Sequence, residues 1–543
     1  MELRAAYAFV LALFLAMALI PFLVRVAGPL GLMDAPDPRK VHKGQIPRIG
    51  GVAIVIGCLV PVAIWAPIEG PFAAFLGAAA LLFLFGLLDD RFNLDYRLKL
   101  LGQLLAASVV VLAGGVLVKE VPFIPGGLLP MPLAIPFTVL VLVGITNAVN
   151  LSDGLDGLAG GISLLAGSAL LLLLVADGGA EGSLLILLAA LGGSLLGFLR
   201  FNTFPARLFM GDTGSQFLGF TTGVLAIMVT QREDLALSRA LPLLVLGLPI
   251  LDMLTVMVRR IASGHSPFKA DRTHLHHRLI DSGLTQAEAV TLVYTAQFMM
   301  VVLAYLMRHS ADSAILLAYA MSCGLILAAI RTLENYHERL KRRDEHRTPF
   351  VRFSAWARRR RFVTRSPIRI LSLTVPLCLV IGALSVQSVE PDIGVLAGAL
   401  FVVSLAVLAI RTKSAFFLER ISAFTAAVIV VYLVAHSPHL IDICEPCLLV
   451  FFGGVALLGG LWTRLSSSGF RVSTLDVLIL LAALTAPMLR GLGLGEIGLQ
   501  VLAAIVLFYA IEILIQEREG PWDPLRFAVP ATLAILVVKS LVA

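Results

Sequence analysis

Charge is scarce in this sequence. Only 14% of its 543 residues are Asp, Glu, Lys or Arg, where soluble domains carry about 25%. Hydrophobic residues make up 59% and the mean hydropathy is +0.94, which excludes an ordinary water-soluble domain and makes lipid the expected solvent. Cysteine is sparse too: five are too few for a disulfide scaffold. Cys58, Cys323 and Cys378 fall inside apolar runs and read as packing or lipid-facing residues. Cys444 and Cys447 form a lone C-x-x-C in a short polar loop, where a disulfide, a metal half-site and no role at all stay open. No Ala-x-Ala cleavage site follows the first apolar run, so residues 5–26 are expected to be a retained transmembrane helix rather than a signal peptide. The net charge of +7 does not argue for nucleic acid. Its basic residues cluster in short loops between apolar runs, the pattern that orients a membrane protein.

A helix needs about 20 apolar residues to cross a bilayer, which divides the first part of the chain into about eleven spans. They fall near 5–26, 51–66, 72–88, 98–118, 134–150, 158–176, 184–200, 215–230, 240–258, 289–307 and 312–330. About seven more follow near 367–386, 393–410, 421–436, 448–463, 473–489, 497–515 and 527–542. The expected fold is therefore an all-α polytopic transmembrane bundle. Three parts are expected: a membrane-embedded domain over 1–335, a basic linker over 336–366 and a second multi-spanning module over 367–543. With Met1 outside, the inner loops carry Arg39, Lys40, Lys43 and Arg48, then Arg91, Arg97 and Lys99, and later Arg259 and Arg260. The outer loops hold few basic residues, so these inner loops are expected in the cytoplasm. The polar stretch 331–369, with the run Arg358, Arg359, Arg360 and Arg361, reads as a linker lying on anionic headgroups.

Under that topology every unusual polar cluster of the first part opens to one side. Asp89 and Asp90 end the third span, with Lys99 opening the next. In NAVNLSDGLDGLAGG, Asn147, Asn150, Asp153 and Asp156 recur at intervals of three, so on a helix they drift slowly round one face. FMGDTGSQFLGF sets Asp212 in a glycine-flanked turn before an apolar helix, a place that suits either a cap or a phosphate. SGHSPFKADRTHLHHRL brings His274, His276 and His277 beside Arg272 and Arg278, a better holder for an anion than for zinc. Carboxylates and amides are hard oxygen ligands for Mg²⁺, and the cationic loops suit a diphosphate. Asp252 and Glu512 lie within apolar runs, where either could simply face a helix interface. A transporter reading would need acidic positions at mid-bilayer within repeated halves, and no such repeat is evident.

These motifs, in the order KVHKGQIPRIGG, DDRF, NAVNLSDGLDGL, MGDTGS and HLHH, resemble the polyprenyl-phosphate N-acetylhexosamine-1-phosphate transferases over about residues 1–335. The SPFKADRT-HLHH form looks most like the bacterial undecaprenyl-phosphate N-acetylglucosamine-1-phosphate transferases. The resemblance implies Mg²⁺, with Mn²⁺ as a substitute, on Asn150 and Asp212, and catalytic roles for Asp89, Asp90, Asp153 and Asp156. It also implies substrate binding by Lys40, His42, Lys99, Asn147, Arg272, His274, His276 and His277. The implied partners are a UDP-sugar, a polyprenyl phosphate and the membrane, with UMP released on the cytoplasmic side of a bacterial inner membrane and cell-surface polysaccharide synthesis begun. Phospho-MurNAc-pentapeptide transfer is the nearest alternative, and a non-enzymatic lipid-phosphate transporter or flippase the distant one. The module beyond residue 366 departs from the family's usual length. It could recruit a glycosyltransferase or flippase or stabilise a homodimer, and its C-x-x-C falls outside, where a Cys444–Cys447 disulfide is expected.

Overall fold

The structure is a computed structural model that describes residues 2–34, 44–121, 127–179, 182–232, 234–264, 273–343, 361–409, 413–437, 450–462, 473–485, 495–516 and 523–542. Eleven of the described helices are long and apolar enough to cross a bilayer, and the fold is all-α and polytopic. The chain divides into two compact units, one over 1–343 that also takes in 473–482, the other over 344–472 and 483–543.

The first unit runs α1 (Glu2–Ala27), a two-stranded hairpin of β1 (Met33–Asp34) and β2 (Ile46–Pro47), then α2 (Gly50–Trp65), α3 (Pro71–Phe92), α4 (Tyr96–Leu112) and α5 (Met131–Leu151). It continues through α6 (Leu158–Ala176), α7 (Ser183–Asn202), α8 (Gly211–Thr230), α9 (Pro242–Val245), α10 (Gly247–Ala262), α11 (Leu275–Asp281), α12 (Gln286–Leu306) and α13 (Asp312–Arg343). In lipid, helices associate through close backbone approach rather than water exclusion, so small residues mark the interfaces. On α1 the buried stripe is Ala5, Ala8, Ala12, Ala16, Ile20, Leu23 and Ala27, at helical spacing. It meets α7 where a Cβ on Gly193 would lie 2.1 Å from the Phe9 carbonyl and one on Gly197 2.8 Å from that of Leu13. The start of α8 is gripped in the same way. Gly86 of α3 touches Thr213, and Gly51 of α2 touches Gly214. One turn further on, Gly219 of α8 touches Thr146 of α5. Exposed Phe14, Leu104, Leu140, Met299 and Leu325 are left for lipid.

The ninth span is broken, which the residue count did not show. Pro249 has no N–H to offer the Val245 carbonyl one turn back, and its ring crowds that carbonyl, so the helix stops at Val245 and restarts at Gly247. Gln297 of α12 repairs the gap: its Nε2 donates to Val245 O at 2.7 Å and its Oε1 accepts from Leu248 N at 3.2 Å. An unpaired backbone group at membrane depth would be costly without it. The short α11 was likewise not expected.

The second unit has its own core, with Leu379, Val430, Leu507 and Leu533 fully enclosed. Glu512 pairs with Arg420 at 2.7 Å, which gives this intramembrane acid an interfacial role. Cys444, Cys447 and residues 344–360 of the basic linker lie outside the described residues.

Candidate active site

The ends of α3 and α5, the starts of α4 and α8 and the α11 segment gather at one end of the first unit. The opposite loops meet at the other end, where Arg239 binds Glu120 at 2.8 Å and Ser238 binds Asp312. The alternation expected from the apolar runs is thereby realised.

At the first end, one ammonium joins two acids from different helices. Lys99 Nζ lies 2.6 Å from Asp89 Oδ2 and donates to Asp212 Oδ2 at 2.7 Å. The second Asp89 oxygen accepts Leu94 N at 2.7 Å, and Asn93 takes the left-handed conformation at φ 47°, so the α3–α4 turn is folded around this carboxylate. The other oxygen of Asp212 accepts Asn150 Nδ2 at 3.1 Å, and the same nitrogen donates to Ser215 at 2.7 Å. Burying such groups is unfavourable unless each is paired, and here each is.

Asp90 was expected among the catalytic acids, but its carboxylate is occupied otherwise. It accepts Asp212 N at 2.7 Å, Thr213 N at 3.0 Å and Thr213 Oγ1 at 2.6 Å, so it caps α8 from a neighbouring helix. A Cβ on Gly211 would lie 2.4 Å from this carboxylate, and Gly211 has φ +66°, so only glycine suits the position. Asp90 therefore positions Asp212 through the start of α8. Asp156 is also spent on backbone: it accepts Ala206 N at 2.9 Å and secures the turn leading into α8. Asn147 is turned into the bundle, donating to Gln103 at 2.7 Å and to Val143 O at 2.8 Å, with Gln103 in turn donating to Gln216 at 3.2 Å. These amides form a buried platform below the site, where Asn147 was expected to touch substrate.

Asp153 stands on the α5–α6 turn among like charges. Loss of water around its carboxyl, with Asp212, Asp90 and Asp156 repelling it, pushes its pKa up to about 7 against the opposing pull of Arg48. Arg48 itself pairs with Asp34 of β1. The segment carrying it docks on the α8 turn through Phe209 N to Pro47 O at 2.8 Å and Gly50 N to Phe209 O at 2.9 Å. Arg48 was read only as an orienting charge; its place between a hairpin and a Gly-Gly pair was the available signal.

The histidine segment closes the site from α11. A Cβ on Gly154 would lie 2.1 Å from His276 Nε2, so this imidazole rests on the α5–α6 turn. His274 stacks on His276 at 5.7 Å, and His276 meets His277 at 4.3 Å. Burial pushes the His276 pKa down to about 3, with His277 adding to the effect. His276 is thus a neutral ring at ordinary pH. It can donate or accept a hydrogen bond. Asp252 is the residue that sequence reasoning set aside: its Oδ2 lies 2.9 Å from His274 Nδ1 and its Oδ1 accepts Leu275 N at 2.8 Å. Lys40, His42 and Arg272 lie outside the described residues.

The donor set fits a hard divalent cation. Carboxylates outnumber the cations around them, and Lys99 already sits as a cation between Asp89 and Asp212. Among the described residues no three His, Cys, Asp or Glu side chains close on one point. Mg²⁺ takes one or two protein carboxylates and fills the rest of its shell with water and substrate phosphate.

Acids bridged by one ammonium stand at the end of a lipid-crossing bundle, and comparison with known proteins gives the class, the phosphotransferases. Within it the chain belongs to glycosyl transferase family 4, whose family model matches residues 72–230. It is 35% identical over 309 residues to a probable undecaprenyl-phosphate N-acetylglucosaminyl 1-phosphate transferase of Bacillus subtilis, covering 56% of this chain and 86% of the relative. It is 30% identical over 307 residues to the undecaprenyl-phosphate alpha-N-acetylglucosaminyl 1-phosphate transferase of Escherichia coli K12, covering 55% and 83%. The Yersinia pestis protein of that name is 31% identical over 278 residues, covering 50% and 76%.

Proposed function

We propose that this enzyme transfers N-acetylglucosamine-1-phosphate from UDP-N-acetylglucosamine to undecaprenyl phosphate on the cytoplasmic face of a bacterial inner membrane, as a first step in building a cell-surface polysaccharide. The observation that carries this reading is the Lys99 bridge between Asp89 and Asp212. It concentrates paired charge at one end of the bundle, where a membrane lipid can present its phosphate.

An oxygen of the lipid phosphate forms a bond to the β-phosphorus of the UDP-sugar, and the bond from that phosphorus to the bridging oxygen breaks, with the electron pair leaving on UMP. The sugar's anomeric bond is untouched. Mg²⁺ held by Asp212 and Asn150 would offset the negative charge of the diphosphate and the leaving UMP. Lys99 acts as a point charge for phosphate. Asp89 holds Lys99 and the α3–α4 turn in place; a lipid phosphate is already ionised at neutral pH, so no strong base is required of it. His276, neutral and resting on the Gly154 turn, offers a hydrogen bond to the sugar phosphate. Most of the rate then comes from positioning and fixed charge, as in other phosphoryl transfers. The cytoplasmic assignment is supported by the Lys and Arg content of the loops at this end.

The test is UMP release by the purified full-length protein with undecaprenyl phosphate and, in parallel, UDP-N-acetylglucosamine, UDP-N-acetylgalactosamine and UDP-MurNAc-pentapeptide. Turnover is expected with the first donor, only with Mg²⁺ or Mn²⁺ present. Turnover with the pentapeptide donor alone would replace the donor assignment, and lipid movement without UMP release would remove the enzymatic one.

A further inference from the structure

A cleft of about 480 Å³ opens between α10 and α13, lined by Leu254, Val258 and Arg259, by Arg278 of α11, and by Leu327 and Arg331. Its walls are apolar and turned outward: Leu254 is 46% exposed and Val258 65%. Its polar side is cationic. Arg278 is only 8% exposed and grips Glu334 as a fork, through Nε at 2.8 Å and one terminal nitrogen at 3.0 Å. The other terminal nitrogen, Nη1, is buried with no hydrogen-bond partner. A buried guanidinium N–H without an acceptor is unfavourable, and native structures rarely keep one unless something supplies the acceptor. Arg259 and Arg331 stand at the rim, so three guanidinium groups meet one carboxylate and the cleft holds an excess of positive charge.

We propose that this cleft binds the anionic headgroup of a bilayer phospholipid, its phosphodiester held on the side that Arg259, Arg278 and Arg331 line while the acyl chains follow Leu254, Val258 and Leu327. Apolar walls open to the bilayer select an amphiphile over a soluble anion. The charge excess selects an anionic headgroup over a zwitterion. None of the residues gathered round Lys99 lines the cleft, so its occupant is distinct from the reacting lipid. Arg278 directly follows His277, so a lipid held here steadies the histidine segment from behind.

The test uses full-length protein purified in detergent and titrated by native mass spectrometry with phosphatidylglycerol, phosphatidylcholine, undecaprenyl phosphate and inorganic phosphate. The comparison is with Arg259→Ala/Arg331→Ala, which changes two exposed side chains and leaves the Arg278–Glu334 fork intact. Phosphatidylglycerol is expected to bind in preference to phosphatidylcholine, and the double alanine variant to weaken it on the order of tenfold. Arg259→Lys/Arg331→Lys keeps the charge and should keep the preference, which guards against a folding defect in the alanine variant. Equal binding of the two phospholipids, or an unchanged preference in the alanine variant, overturns the proposal. Displacement of the lipid by inorganic phosphate would make this a soluble-anion site, and displacement by undecaprenyl phosphate an acceptor site; either overturns it too.

Discussion

His274 and Asp252 form a buried pair, Nδ1 to Oδ2 at 2.9 Å, with the second Asp252 oxygen on the Leu275 amide at 2.8 Å. A carboxylate oxygen accepts, so the proton shared by the pair lies on Nδ1 of His274. One side chain of α10 thereby fixes both the orientation of the ring and the start of α11. Asp252→Asn turns an N–H toward His274 and disturbs that orientation. The expected result is a fall in kcat of about 10–100-fold, the range seen when a partner that orients a functional histidine is lost. Unchanged membrane insertion and melting would separate this from a folding defect, and full activity would show that the pairing does not matter.

Asp212 and Asp90 should respond differently to truncation. Asp212→Ala, and likewise Asn150→Ala, is expected to abolish UMP release while the protein still inserts, because Asp212 holds Lys99, Asn150 holds Asp212, and the two are the proposed holders of Mg²⁺. Asp90→Ala strips the cap from α8 and leaves the amides of Asp212 and Thr213 without partners. It should therefore cost stability as well, about 1–2 kcal/mol. Thermal melts alongside the activity assay distinguish the two patterns; a fully stable Asp90→Ala protein would contradict the capping role.

Asp153 predicts a pH effect of definite sign. Its folded-state pKa is raised to about 7 from an ordinary 3.8, so the folded protein binds the proton more tightly than the unfolded chain does. The favourable contribution is complete below pH 3.8 and is lost as pH rises through about 7. Asp153→Asn should consequently raise the melting temperature of the metal-free protein at pH 8 and change it little at pH 4.5. Melting curves at both pH values, with EDTA present, provide the check, and the opposite order would refute the reading.

Gly154→Ala is a small change with a directed effect. The added methyl would fall 2.1 Å from His276 Nε2, so the ring must leave its stack between His274 and His277. Activity is expected to drop at least tenfold, on the order of the loss caused by a misplaced catalytic group, with little change in melting. Wild-type turnover would mean that His276 has no part in the reaction.

Much of this arrangement was legible in the sequence because polar residues at the ends of apolar runs have few reasons to be there. Counting spans alternately inward and outward already put the DDRF, DGLDG, GDTGS and HLHH segments on one side. The division of labour within each segment was not legible. Asp89 and Asp90 are neighbours about 100° apart on a helix, and no periodicity says which of them turns to Lys99 and which to α8. Asn147 and Asn150 looked alike, yet only Asn150 meets Asp212, because Gln103 of α4 claims the other. Asp252 was passed over since its partner, His274, lies 22 residues away in the chain. The break at Leu246 was hidden by a window of about twenty residues, which averages over the one proline responsible.

Because Asp89 and Asp90 are consecutive, a single half-turn of α3 sets both the seat of the Lys99 ammonium and the origin of α8. If α3 tilts to suit a thinner or thicker bilayer, it takes its bond to α8 with it, and the separation of Asp89 from Asp212 is conserved. Groups anchored independently on two helices would drift apart under the same adjustment. The adjacent acids thus make the spacing of the reacting centre insensitive to the lipid environment in which the helices happen to lie.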